Sequence, residues 1–309
     1  MKPRVFRHQA LIYEGAEEYL AGTIPFLREG LAAGEPILIA VGELQCRLLA
    51  DELGPDADRA LFIDTHRVGR NPALAIPLWR DFVADHDGRP VRGVGEPAWA
   101  AQSSAALEEC HRHECLLNYA FHGSDWSLLC PYDAESLGDE ELERVARSHE
   151  LISHQGRTEQ SVRFEAELDC LAGELPPPRS RPEVLAFGLA ELGEVRRRVA
   201  TAAERAGLDP RGSADLVTAA SELAANSVMH GGGRGTLRLW CEGDELLAEV
   251  EDDGLIEEPL VGRLRPVISQ EGGRGLWLAN QLCDLVQIRS DVGETRVRLH
   301  VPARDGALV

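Results

Sequence analysis

The stretch Leu171 to Glu183, LAGELPPPRSRPE, constrains this 309-residue chain more than any other. Three consecutive prolines and Pro182 lock φ and remove backbone donors, so neither a helix interior nor a central strand can run through them. The segment reads as a semi-rigid linker, and a chain of this length has room for two ordinary domains. The expected organisation is a first domain over residues 1–160, a linker over 161–182 and a second domain over 183–309.

Before the linker, apolar runs alternate with amphipathic stretches. EPILIAVG (Glu35 to Gly42), ALFIDT (Ala60 to Thr65) and SLLCPYD (Ser127 to Asp133) have the composition of buried strands, and EEYLAGTIPFLREGLAAG, PALAIPLWRDFVADH and SAALEECHRHECLLNYAF that of helices. Such alternation predicts an α/β domain with a mostly parallel sheet covered on both faces. After the linker the order changes: two helices, a hairpin turning at Gly243-Asp244, a glycine-rich segment, another helix and two closing strands. Helices on one face of a mixed sheet predict an α+β sandwich.

The formal net charge is −20, from 52 acidic against 32 basic residues. That excludes nucleic-acid or anionic-membrane binding through a general basic surface. No apolar leader opens the chain and no run of 18 apolar residues occurs, so a cytoplasmic location is expected. Seven scattered cysteines fit reduced thiols rather than a disulfide framework.

Within SELAANSVMHG (Ser221 to Gly231), positions four apart lie one above another on a helix. Glu222, Asn226 and His230 therefore form a polar stripe on an otherwise apolar segment. A buried stripe of this kind needs partners, supplied either by the protein or by a ligand. Further along, ELLAEVEDDG ends a strand on Asp252-Asp253-Gly254. EGGRGLWLAN sets Gly272, Gly273 and Gly275 directly before a helix, where free N–H groups and the dipole favour an anion. Thr295 follows Gly293 on the closing strand. Taken singly, the carboxylate–amide pair is also what a satisfied core pair looks like, and the glycines what a loop looks like. His230 beside Gly231-Gly232-Gly233 reads as a helix end.

In this order the three motifs resemble the GHKL ATP-binding fold shared by gyrase, Hsp90, histidine kinases and MutL, and most of all the anti-sigma serine kinases of bacterial partner switching. The resemblance spans about Val184 to Pro302. It implies ATP and Mg²⁺ as cofactors, with Asn226 as the Mg²⁺ ligand and Asp252 accepting the adenine amino group. Gly254 would keep that turn open, Gly272, Gly273 and Gly275 would line the phosphates, Thr295 would support the adenine contact, and Glu222 would be the general base. It further implies a sigma factor and a STAS-type anti-anti-sigma protein as partners, and is compatible with a homodimer. The second glycine of the fold's D-x-G-x-G is missing here, where Ile256 stands. SHELISHQG, around His149, faintly resembles a histidine kinase's phospho-accepting helix.

In the first half, HQALIYEG, GRNP, GEPAWA, ECHRHECLLNYAF and LLCPYD resemble the MEDS sensory domain, which implies a ligand-sensing module over about Phe6 to Gln155. Glu96, Trp99 and His113 are the candidate residues of a small-molecule pocket. Cys110, His111, His113 and Cys115, with Cys130 or His122, offer an alternative metal reading. The leading expectation is an anti-sigma regulatory protein with ATP-dependent serine/threonine kinase chemistry. The alternatives are a nucleotide-gated binding module without phosphotransfer and a histidine-kinase-like signalling protein.

Overall fold

The run ILIAV is buried along its whole length, as a strand of a parallel sheet covered on both faces must be. It forms β2 (Ile37–Val41) of a seven-stranded sheet with β1 (Phe6–Tyr13), β3 (Ala60–Asp64), β4 (Val91–Gly95), β5 (Trp126–Asp133), β6 (Leu151–His154) and β7 (Arg157–Gln160). The computed structural model describes residues 5–65, 71–86, 89–96, 103–165, 172–266 and 273–303. The chain divides into two units, residues 1–168 and 169–309.

In the first unit the strand order is β3-β2-β4-β5-β1-β6-β7, parallel throughout except for β7. Helices α1 (Gly15–Ala33), α2 (Glu43–Leu53), α3 (Ala75–Asp85), α4 (Ser104–Ala120) and α5 (Asp139–Ser148) supply the cover. Because strand side chains alternate, the sheet has two chemically different faces. Leu11, Ile39, Val41 and Leu129 pack with Leu27, Leu31 and Leu49 of α1 and α2 in one apolar cluster. The other face presents His8 and Ala10 of β1 beside Cys130 and Tyr132 of β5. There, the Trp79 and Phe121 rings lie 5.2 and 4.2 Å from that of Trp126.

The strand VRGVG was hidden by its glycines. A Cβ at Gly93 would come within 2.8 Å of the Trp79 ring, so the tryptophan occupies the space that strand side chains usually fill. SHELISHQG is not a helix presenting a histidine. After α5 the chain enters β6, and Gln155 (φ 49) and Gly156 (φ 75) make a two-residue turn into β7. His149 is wholly buried, which removes it as an exposed phosphoacceptor.

The second unit is built from β8 (Glu183–Gly188), α6 (Leu192–Arg205), α7 (Pro210–His230), β9 (Arg234–Glu242), β10 (Glu245–Asp252), α8 (Arg274–Leu282), β11 (Leu285–Asp291) and β12 (Glu294–Pro302). Its sheet, ordered β11-β12-β10-β9-β8, is antiparallel at every pairing rather than mixed. Strand β8, directly after the linker, forms one edge. Val195, Val199, Leu216 and Leu223 of the helices pack on Leu239, Ala248, Val250 and Leu299 of the sheet.

The opposite sheet face is polar. Glu249 takes a double hydrogen bond from Arg298 at 2.6 and 2.9 Å, and Arg298 also donates to the Pro176 carbonyl at 2.9 Å. Leu175 is buried, and Ser180 Oγ donates to the Cys241 carbonyl. Residues 175–180 are thus laid along the second sheet, not held off it as a spacer. Among the described residues, no helix is long and apolar enough to cross a membrane.

Candidate functional site

Helix α7 begins where Asp209 accepts from the Gly212 amide and Pro210 takes the first turn, and it ends at Gly231. Fully buried Ala219, Ala220 and Ala224 let it lie close to the sheet. Its polar stripe emerges half-buried: Glu222 and Asn226 face the start of α8. A Cβ on Gly275 would lie 2.7 Å from Asn226 Nδ2 and 3.2 Å from Glu222 Cβ, so this glycine is what allows α8 to approach the stripe. It is buried between the helices and is not part of the cavity wall.

Beyond the stripe lies a cavity of about 160 Å³ lined by Asn226, Ser227, His230, Asp252, Gly254, Gly273 and Thr295, with Leu223, Val250 and Val297 at its apolar side. An apolar cavity of roughly 150 Å³ is enough to take a single aromatic ring. Asp252 is its best-anchored polar group. Ser227 Oγ donates to Oδ2 at 2.6 Å and the Gly254 amide donates to Oδ1 at 2.8 Å. Each carboxylate oxygen has two acceptor sites, so capacity is left for a donor in the cavity.

Glycine is required on two sides of this carboxylate. A Cβ at Gly231 would fall 2.5 Å from Asp252 Oδ1, and one at Gly254 would fall 2.8 Å from the same atom. Thr295 stands opposite Asp252 in the β10–β12 ladder, and Ser290 stands opposite Thr295 in the β11–β12 ladder. Thr295 Oγ1 donates to the Gly254 carbonyl at 3.0 Å, leaving Ser290 Oγ as donor to Thr295 across 2.7 Å. Ser290 in turn accepts from the Ile256 amide. The loop after β10 is thereby pinned without the second glycine of the motif.

Gly273 opens α8 with φ 80°, a left-handed conformation suited to glycine, and lines the cavity at the helix's N-terminal end. Gly272 lies outside the described residues. The structure thus brings Asn226, Asp252, Gly254, Gly273 and Thr295 to one cavity and sets Glu222 one turn along α7 from it. Sequence reasoning missed Ser227 and Ser290. A serine inside a helix or strand carries no pattern of its own, and only the ladder registers and the α7–β10 contact reveal these two.

In the first unit, Glu96 follows β4 and accepts a 3.4 Å hydrogen bond from Tyr13 at the carboxyl end of β1. Burial, then the Glu96 charge, push the Tyr13 phenol well above its usual range. This is the end of an open parallel sheet where ligands commonly bind. His113 is buried on α4, and Trp99 lies outside the described residues. The alternative metal reading of Cys110 to Cys115 with Cys130 or His122 does not match the group of ligand atoms that converges here. Among the described residues the ligand atoms that converge belong to His8, Glu114, Cys130 and His149.

Comparison with known proteins agrees with this division. The family model MEDS, the MEthanogen/methylotroph, DcmR Sensory domain, matches residues 7–150. The model of the histidine kinase-like ATPase domain matches residues 185–301. No curated protein matches the chain. The crystal structure of the RsbU and RsbW domains of Rv1364c from Mycobacterium tuberculosis is similar over 40% of this chain and 33% of that one, at 22% identity and a TM-score of 0.31. This chain therefore covers a third of that structure, a likeness too slight to carry function across. The chain joins an N-terminal MEDS domain to a C-terminal histidine kinase-like ATPase domain.

Proposed function

We propose that this protein is an anti-sigma regulator that binds Mg-ATP in its second domain and phosphorylates a serine or threonine of a STAS-type anti-anti-sigma protein, under control of a signal sensed by the first domain. The observation that carries the reading is the convergence of Asn226, Asp252, Gly254, Gly273 and Thr295 on one ring-sized cavity.

The donor set fits an adenine nucleotide with a hard cation. Asp252 retains acceptor capacity at the apolar side of the cavity, where an exocyclic amino group finds a partner. Asn226 offers an amide oxygen of the kind Mg²⁺ takes. Gly273 presents no side chain at the N-terminal end of α8, so phosphate can approach the backbone. Bound Mg-ATP would supply the phosphoryl group and neutralise its charge during transfer. Glu222, one turn along α7 from Asn226, would hold the proton of the partner's hydroxyl. The sigma factor would be released when the anti-anti-sigma protein competes for the regulator.

Full-length protein incubated with γ-labelled ATP and a candidate anti-anti-sigma protein tests this. Acid-stable, base-labile label on the partner is the expected result. Nucleotide-dependent binding to the partner with no label would establish a nucleotide-gated binder instead, and no nucleotide affinity would end both readings.

A further inference from the structure

His8 on β1, Glu114 on α4, Cys130 on β5 and His149 between α5 and β6 bring their ligand atoms within 4.8 Å of one another. Their exposures are 2%, 1%, 1% and 0%. Glu114 Oε2 lies 3.1 Å from His8 Nε2 and 3.5 Å from His149 Nε2, and Cys130 Sγ lies 3.4 Å from His8 Nε2. Nothing in the nucleotide reading uses this group, and all four residues belong to the first unit.

The surrounding hydrogen bonds orient both imidazole rings. The Ser148 carbonyl can only accept, so it takes Asn118 Nδ2 at 2.7 Å and turns Asn118 Oδ1 toward His8 Nδ1 at 2.9 Å. His149 Nδ1 lies 2.9 Å from the Val145 carbonyl and 3.0 Å from Ser148 Oγ, with Nε2 3.3 Å from Tyr132 Oη. Both imidazoles thus turn Nε2 toward the centre. Glu114 adds a buried carboxylate to the same centre, with Oε2 toward both imidazoles. A cation at this centre would take up the nitrogen lone pairs and neutralise the buried carboxylate together.

We propose that His8, Glu114, Cys130 and His149 form a tetrahedral site for a divalent first-row transition metal, for which Zn²⁺ is the natural probe. With metal–nitrogen bonds of about 2.0–2.1 Å, the edges of a tetrahedron are roughly 3.4 Å, close to the three separations observed. Histidines whose other nitrogen is fixed by a carbonyl or amide oxygen are the usual arrangement around such ions. The mixed nitrogen, sulfur and oxygen set disfavours Ca²⁺ and Mg²⁺, which take oxygen ligands. On binding, the Cys130 S–H bond breaks, its proton leaves to solvent and the sulfur pair bonds the cation, with no change of oxidation state. Thiolate and carboxylate then neutralise the dication. Ala10, paired with Cys130 in the β1–β5 ladder, keeps a long side chain out of the floor of the site. Four protein ligands fill the coordination shell, so the role is binding and not hydrolysis.

Untagged full-length protein grown with added zinc should carry about one equivalent of metal per chain by mass spectrometric elemental analysis. Apoprotein prepared with chelator and reductant should take up Co²⁺ with intense tetrahedral ligand-field bands and a thiolate-to-cobalt charge-transfer band. Cys130→Ser should abolish the charge-transfer band, and Glu114→Gln should weaken Co²⁺ affinity more than tenfold. Cys115→Ser should change neither. If those two variants do not fold, the wild-type cobalt spectrum decides alone. A cluster that only shares protons among His8, His149 and Glu114 would show no stoichiometric metal and no charge-transfer band, and either finding overturns the proposal.

Discussion

Ser227 Oγ donates to Asp252 Oδ2 at 2.6 Å, tying the last turn of α7 to the end of β10. A hydrogen bond to a charged acceptor is typically worth about 1.5–3 kcal/mol. Ser227→Ala should therefore weaken ATP binding roughly tenfold and lower the stability of the second domain by about 2 kcal/mol. Asp252→Asn should act more selectively, narrowing the affinity gap between ATP and GTP. Isothermal titration with both nucleotides separates the two effects, and an unchanged ATP preference in Asp252→Asn would remove Asp252 from base recognition.

Asn226 and Glu222 share one face of α7 but stand for different steps. Asn226→Ala should lose most Mg-ATP affinity. Glu222→Ala should bind nucleotide normally while transfer to the partner falls about 100-fold or more, the scale expected for loss of a general base. Nucleotide titration and transfer rates measured side by side check this. Parental transfer by Glu222→Ala would leave a nucleotide-gated binder as the better description.

Gly231→Ala places a methyl 2.5 Å from Asp252 Oδ1. Overpacking of this kind costs about 1–3 kcal/mol, and here it also displaces the carboxylate. Thermal denaturation should show the loss of stability, and ATP affinity should fall with it. A stable variant with full affinity would mean that the carboxylate has another usable position.

The docked linker makes a prediction about boundaries. A fragment starting at residue 172 should be more stable than one starting at 183, because only the former keeps Leu175 and the Arg298–Pro176 contact. Arg298→Ala in the longer fragment leaves Glu249, which is 2% exposed, with only the 3.2 Å hydrogen bond from Arg238, and should cost about 1.5–3 kcal/mol. Arg298→Met with Glu249→Leu should recover most of that loss. Urea denaturation of the four proteins provides the comparison.

The elements most legible in the sequence were those with a local signature. The stripe Glu222–Asn226 stood out because its neighbours are apolar, and Asp252-Asp253-Gly254 because a charged pair and a glycine follow a strand. Strand β4 was not legible because its glycines answer to Trp79, and β8 because as an edge strand it alternates between burial and solvent. The contribution of Ser290 depends on its register opposite Thr295, which no local pattern records. His8 and His149 are far apart in sequence, yet their ring centroids lie 3.9 Å apart because β1 sits between β5 and β6. The run Cys110 to Cys115 is dense in ligand types, whereas coordination depends on which side chains the sheet topology makes meet.

Asp252 is held at both oxygens, by a helix hydroxyl and by the amide two residues ahead, before any base occupies the cavity. Its rotamer freedom is therefore already lost when the domain folds, and a purine arriving there finds a preorganised acceptor with little further ordering to impose. Differences in affinity among purines should accordingly appear in the enthalpy of binding, while the entropic cost of fixing this side chain stays the same for all of them.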